Sequence, residues 1–328
     1  MMASKFQPLV APRQDKRVAA DPQYPALLAA NDNDLKGESM KSIGMVGIGM
    51  MGHGIASNIV KRDFKLGVFE HPGNQPLDGL KAAGATTFTS LKALAAQSDA
   101  IILVLTGSPQ VEAVLQGADG ILEGLRPGTV VIDCSTAIPS SSVRMAKAVE
   151  ASGGRFLDSP MTRTPKEAAE GRLNLLVGGD AALLEECRPL LKCFAENITH
   201  VGPVGAGHSM KLLHNYVSLG MVTLLSEAAA CAGRNGVAPE AFVDVLAKGG
   251  GGGIALERLK PFLLSGDVSG LRFSVANARK DLDYYNTMAT DAGTHKAIAE
   301  AVLSTLEQAL ARAPEALVPE LPAILGRT

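Results

Sequence analysis

The chain has 328 residues, enough for about two domains. Its 46% hydrophobic and 20% charged content is that of a folded globular protein, not a disordered one. The 31 basic and 33 acidic residues leave a formal net charge of -2, which excludes a broad phosphate-neutralising face for nucleic acid and a polybasic face for membranes. Aromatic residues make up only 4%, with no Trp, so stacking platforms for single-stranded nucleic acid are lacking. Cys134, Cys187, Cys193 and Cys231 form neither a CxxC nor a Cys/His zinc spacing. They read as free thiols in a reducing, cytoplasmic compartment. No uninterrupted apolar run approaches the ~20 residues of a membrane span.

Residues 1–40 carry Pro8, Pro12, Pro22 and Pro25, a polar NDND run at 31–34 and no sustained periodicity. They lack the apolar core of a secretory signal, and their acids do not suit a transit peptide, so a disordered tail is expected. Met40, just before the first strand, is a second candidate start of translation. From residue 41 short apolar runs alternate with helical stretches. Strands are predicted at 43–47, 66–70, 85–88, 100–105, 129–133, 155–158, 173–178 and 198–201. Helices are predicted at 51–62, 77–83, 90–97, 108–115, 139–152 and 181–191. This alternation predicts a mostly parallel sheet covered by helices on both faces. Past Gly205 the strands stop. Residues 206–232 read as one long, mostly apolar helix that should be buried, and the rest reads as helical, broken by the GGGGG run at 249–253. The expected organisation is an α/β nucleotide-binding domain over 41–204 and an all-α domain over 205–328.

Gly47-Ile-Gly49-Met50-Met51-Gly52 is a GxGxxG motif that follows a predicted strand and opens a predicted helix. The first Gly permits the tight turn, the second lets the backbone approach a pyrophosphate, and the third lets helix and strand pack closely. Backbone N–H groups at the helix N-terminus then hold the phosphates. Glu70 ends the second strand, 21 residues after Gly49. A carboxylate there accepts the ribose hydroxyls of NAD and repels the 2′-phosphate of NADP. His71 beside it tolerates a phosphate, which leaves NADP as the alternative.

Four further segments carry a family resemblance. They are Asp133-Cys-Ser135-Thr136-Ala-Ile-Pro139, Asp158-Ser-Pro160 with Gly171-Arg-Leu173 and Gly178-Gly179, Gly205-Ala-Gly207-His-Ser-Met-Lys211-Leu-Leu-His214-Asn215, and Phe273 with Lys280-Asp281. In order and spacing, with the glycine loop, they resemble the β-hydroxyacid dehydrogenases of the 3-hydroxyisobutyrate dehydrogenase type over residues 43–285. The resemblance implies a Rossmann domain followed by a helical domain that completes a cleft. It also implies an NAD(P)-dependent enzyme interconverting a small hydroxy acid and its semialdehyde, working as a homodimer or homotetramer. Lys211 and Asn215 would be catalytic. Leu105, Thr136 and Lys280 would join the glycine loop on the cofactor, and Ser135 and Thr162 would hold the substrate.

The helix also stands on its own chemistry. Lys211, His214, Asn215 and Ser218 fall at i, i+3, i+4 and i+7, on one helical face. Burial and neighbouring cations, with Arg163 and Lys280 the candidates, would lower the Lys211 pKa and fit it to take and return a proton. Where most of the family has Ser-Gly-Gly, this chain has Thr162, Arg163 and Thr164. This pairing resembles the sulfolactaldehyde reductase branch, in which an Arg here and a Ser at the Ser218 position bind a sulfonate. Arg163, His214 and Ser218 therefore join the expected substrate contacts, although His214 departs from the Asn of that branch. Ser218 stands where 6-phosphogluconate dehydrogenases place a Glu, which argues against decarboxylation. Lys211 argues against imine reduction and against a non-catalytic dinucleotide-binding module. His208 and His214 lie on different helical faces and suggest no metal pair.

Overall fold

The apolar runs that read as strands pair, in a computed structural model describing residues 40–326, into one nine-stranded sheet. The tail expected over 1–40 lies, but for Met40, outside the described residues. The strands are β1 (Ser42–Val46), β2 (Lys65–Phe69), β3 (Thr86–Phe88), β4 (Ala100–Leu103), β5 (Val130–Asp133), β6 (Arg155–Asp158), β7 (Met161–Thr162), β8 (Leu173–Gly178) and β9 (Ala195–Gly202). Their order begins β3-β2-β1-β4-β5-β6, and every pair in that run is parallel. The order reverses between β1 and β4, which opens a crevice beyond their C-terminal ends, where sheets of this kind bind ligands. Beyond β6 the direction changes. Asp158, Met161 and Thr162 face Gly178, Leu175 and Asn174 of β8 in one antiparallel register, and β9 then runs parallel to β8.

The connecting helices are α1 (Met50–Ile59), α2 (Asp78–Ala82), α3 (Leu91–Ala96), α4 (Ser108–Gln116), α5 (Ile121–Gly124), α6 (Pro139–Ala151), α7 (Pro165–Ala169) and α8 (Ala181–Leu191). The central strands β1, β4 and β5 are almost wholly buried because both faces are covered, whereas β3 and β9 at the margins are more polar and exposed. Ile43, Met45, Ile102 and Ile132 point into one core, and Val46, Ile101, Leu103 and Val131 into the other. The short elements β7, α5 and α7 escaped the sequence reading, since two to five residues carry no measurable period.

Past Gly202 the described chain is helical, except for one isolated bridge between Ser274 and Leu317. It comprises α9 (Ala206–Arg234), α10 (Pro239–Lys248), α11 (Ile254–Ser265), α12 (Val275–Asp291), α13 (Ala297–Arg312) and α14 (Leu321–Leu325). The GGGGG run separates α10 from α11. Leu219, Val222, Leu256, Leu259, Leu282 and Leu306 form the centre of a third core. From Met40 onward the described chain packs as one compact unit.

The expectation that the long helix is buried needs correction. Only one face of α9 packs inward. Met210, Leu213, Val217, Met221 and Leu224 lie outward, 40–69% exposed. The helix is long and apolar enough to cross a membrane by length and composition, yet its inner face buries His208, Asn215, Thr223 and Ser226 against the protein.

Candidate active site

The turn from β1 into α1 is shaped by backbone contact. Gly47 has φ 94°, and a Cβ there would run into the Val104 carbonyl at the end of β4. A Cβ on Gly52 would strike the Gly47 carbonyl. Both glycines are required by the protein itself. Gly49 is different: its φ of -80° suits any residue, and a Cβ there would meet nothing within 4 Å. The glycine instead leaves free the space in front of α1. No side chain caps that helix, its first turn holds no acid, and Met50 is 66% exposed. The N–H groups of the first turn therefore face open space with the positive helix end behind them, as an anionic pyrophosphate requires. This cradle fits a dinucleotide.

Glu70 follows β2, and its backbone N–H donates to the Phe88 carbonyl. Its carboxylate accepts from Lys81 Nζ of α2 at 2.8 Å, and hydrogen bonds from Lys81 and Thr87 hold its pKa below the usual range. Leu105 lies beyond β4, against Gly47, and its N–H donates to Ser135 Oγ at 3.0 Å. Ser135 is buried and Thr136 partly so, at the end of β5. The loops after β4 and β5 thus meet side by side at the crevice.

Across them lies the start of α9. Asp158, fully buried at the end of β6, accepts from the Gly205 N–H on Oδ1 and from the His208 N–H on Oδ2, both at 2.8 Å. The carboxylate satisfies two of the helix's free donors and complements its dipole. Gly207 is needed for this docking, because a Cβ there would press on the Leu176 and Asp158 carbonyls. The G-x-G before the lysine is therefore a close backbone crossing, and it delivers Lys211 one turn further on.

Lys211 keeps some accessible surface, yet burial of its ammonium lowers its pKa to about 8. Lys280 pushes in the same direction, and Asp281 works against both. Asn215, one turn on, donates from Nδ2 to Asp281 Oδ2 at 2.6 Å, and its Oδ1 lies 3.0 Å from His214 Nδ1. Since the amide oxygen only accepts, His214 donates and the amide is held from both ends. Asp281 is buried on α12, and Lys280 Nζ stands 3.1 Å from it and donates to the Thr106 carbonyl at 2.6 Å. Lys280 also lies 5.2 Å from the Tyr284 ring centre, and Tyr284 Oη accepts from the Ser108 N–H at 3.2 Å. The sequence reading took Asp281 only as part of a motif and missed Tyr284. Tyr284 lies at i+4 from Lys280 and i+3 from Asp281 on one helix, which was the signal available.

Arg163, expected among the substrate contacts, has partners within the protein. Its guanidinium donates to the Arg172 carbonyl and to Glu196 on β9, and the residue is exposed. Neither this cation nor its field lowers the Lys211 pKa. Arg163 has φ 81°, so the turn aims its side chain along the β8–β9 edge, where a carboxylate satisfies it. Thr162 is partly buried, and its Oγ1 accepts from Asn174 at 3.1 Å, which leaves its own proton to give. Ser218 is partly buried and has no hydrogen-bond partner among the described residues, whereas His214 is exposed. None of these four residues lines the cavity of about 330 Å³ formed by Ser108, Glu112, Ile138, Arg144 and Tyr284 among others.

Two family models match the chain. One describes the NAD binding domain of 6-phosphogluconate dehydrogenase and covers residues 42–202; the other describes the NAD-binding region of NADP-dependent 3-hydroxyisobutyrate dehydrogenase and covers 205–317. The NAD-dependent L-serine dehydrogenase of Pseudomonas aeruginosa is 34% identical over 68% of this chain and 74% of its own length. The 2-(hydroxymethyl)glutarate dehydrogenase of Eubacterium barkeri is 32% identical over 75% of this chain and 81% of its own. Among solved structures, Mycobacterium tuberculosis 3-hydroxyisobutyrate dehydrogenase with L-serine matches with a TM-score of 0.79 and 25% identity, over 88% of this chain and all of that one.

Proposed function

The chain belongs to the 3-hydroxyisobutyrate dehydrogenase-like β-hydroxyacid dehydrogenases, NAD(P)-dependent enzymes acting on CH–OH groups, and from that premise we propose that it interconverts a small anionic 3-hydroxy acid and its semialdehyde, with Lys211 moving the proton. The observation that carries this reading is Lys211 itself: an ammonium desolvated to a pKa of about 8, one helical turn from an amide locked by His214 and Asp281. A base or acid poised near neutral pH works in both directions. Bound NAD supplies the acceptor for the hydride that leaves the substrate C–H. In oxidation, neutral Lys211 Nζ takes the hydroxyl proton as the C=O bond forms. In reduction, the ammonium returns that proton to the oxygen that the hydride leaves negative. Asn215 orients the ammonium and the substrate oxygen, and Ser135, Thr162 and Ser218 offer hydroxyl groups to the anionic end.

L-Serine, 2-(hydroxymethyl)glutarate and 3-hydroxyisobutyrate, named for the relatives, share HO–CH2–CH–COO⁻ and differ in the third substituent. A carboxylate of this type is proposed here in preference to sulfolactaldehyde, because Arg163, the cation read as a sulfonate anchor, is engaged by Glu196. Glu70 is proposed to favour NAD over NADP. We also propose a homodimer or homotetramer, which the outward apolar face of α9 supports.

The test is NADH consumption with methylmalonate semialdehyde, tartronate semialdehyde, sulfolactaldehyde and an uncharged aldehyde. The carboxylates are expected to lead, and a tenfold lead for sulfolactaldehyde would overturn the substrate assignment. The kcat/KM ratio for NADH over NADPH should exceed one. Glu70→Ser should lower it, since Lys81 then stands free to meet a 2′-phosphate.

A further inference from the structure

A second side chain of α9 reaches the loops at the sheet edge, three residues before Lys211. The His208 ring is fully buried. Its Nε2 lies 3.2 Å from the Ser135 carbonyl oxygen and its Nδ1 2.7 Å from Ser142 Oγ on α6. A carbonyl can only accept, so Nε2 carries the hydrogen and donates it. From Ser135 the contacts run on. Ser135 Oγ accepts from Leu105 N–H at 3.0 Å, and the carbonyl of the next residue, Thr106, accepts from Lys280 at 2.6 Å. Lys280 pairs with Asp281, which accepts from Asn215 back on α9. The circuit closes. It ties α9 at residues 208 and 215 to the ends of β5 and β4 and to α12, and Lys211 lies about one turn from each tie.

We propose that His208 is a positioning residue of this enzyme: it fixes the helix carrying Lys211 against the Ser135 and Leu105–Thr106 backbone, so that the proton-transfer amine keeps its register on the loops assigned to substrate and cofactor. The inference rests on the role proposed for Lys211. Packing alone does not call for an imidazole here. An apolar side chain of similar size would fill the space without standing 3.9 Å from buried Asp133 and 3.7 Å from buried Asp158. What imidazole adds is a donor aimed at the Ser135 carbonyl and a second nitrogen on α6.

The experiment compares His208→Ala, His208→Gln, Ser142→Ala and Lys211→Ala in the full chain. A displacement of about 1 Å costs on the order of 100-fold in rate, so His208→Ala should lose about 10- to 100-fold in kcat. Substrate KM and NADH Kd should stay within about threefold, because losing an interaction made only in the transition state lowers kcat and kcat/KM equally. The pH limb of kcat should move, and His208→Gln, whose amide can still donate to the Ser135 carbonyl, should recover most of the loss. If folded His208→Ala keeps kcat within twofold, or only its melting temperature falls, the proposal is overturned. If that variant does not fold, Ser142→Ala, which removes the Nδ1 contact on α6, decides: wild-type kcat and an unmoved pH limb there overturn it. Lys211→Ala separates the two claims. An active Lys211→Ala variant sinks the role of Lys211 and this inference with it. An inactive one, beside a wild-type-like His208→Ala, sinks this inference alone.

Discussion

At the β1–α1 turn, Gly47 and Gly52 are fixed by carbonyl oxygens, one from five residues away and one from the adjoining strand, and Gly49 faces open space. Around Lys211 the contacts are mostly between side chains, or from side chain to backbone, and they join β4, β5, β6, α9 and α12 across as many as 174 residues. The first region is a shape in the backbone that a six-residue motif encodes. The second is an electrostatic setting that no one segment encodes. Substitution should therefore act differently in the two: as a steric change with a local effect in the first, and as a change of charge and register in the second.

The largest expected effect is in the second region. Lys211→Arg keeps the charge and much of the stem, but a guanidinium does not give up its proton, so kcat in either direction should fall by about 10²- to 10⁴-fold while NADH binding persists. Retention of more than about a tenth of kcat, with chemistry rate-limiting, would place proton transfer elsewhere.

Gly49→Ala tests the first region. The new Cβ meets no protein atom, so the melting temperature should hold, while NADH Kd rises by about tenfold, near 1.4 kcal/mol. Gly47→Ala should do the reverse and destabilise the fold by about 1–3 kcal/mol or more, since it combines a positive φ with a carbonyl clash. Equal behaviour of the two variants would break the distinction between a cradle and a structural turn.

The pH dependence sharpens the electrostatic side. With Lys211 at about 8, reduction needs the ammonium and should slow as pH rises through that value, whereas oxidation needs the free amine and should quicken. Asp281 favours the charged form, so Asp281→Asn should move both limbs to lower pH. A shift to higher pH would mean that Asp281 acts on Lys211 chiefly through its contacts with Asn215 and Lys280.

The smallest effect belongs to Arg163→Gly. The Glu196 pair is solvent-accessible and worth about 0–1 kcal/mol, and relief of the positive φ offsets part of that. Activity on carboxylate semialdehydes should change by less than about threefold. A selective loss of more than tenfold on charged substrates would return Arg163 to the pocket.

The alternation of apolar runs made the parallel sheet legible, because a strand covered on both faces must be apolar throughout. GxGxxG made the cradle legible, because only glycine allows those backbone approaches. The i, i+3, i+4, i+7 spacing put Lys211, His214, Asn215 and Ser218 on one face without any tertiary information. What the spacing left open was decided by packing. Whether Arg163 faced a ligand or Glu196 depended on a turn at φ 81° and on strand β9, which lies 33 residues further along the chain. Whether α9 was buried depended on which elements covered it, and only one face is covered. The lowered Lys211 pKa depended on the volume of protein around one ammonium and on Lys280 arriving from α12, with Asp281 of the same helix working against both. Sequence determines periodicity and backbone permission, which are local properties. Charge environment and hydrogen-bond partnership are set by whatever lies within a few ångströms, and for this protein those neighbours come from distant parts of the chain.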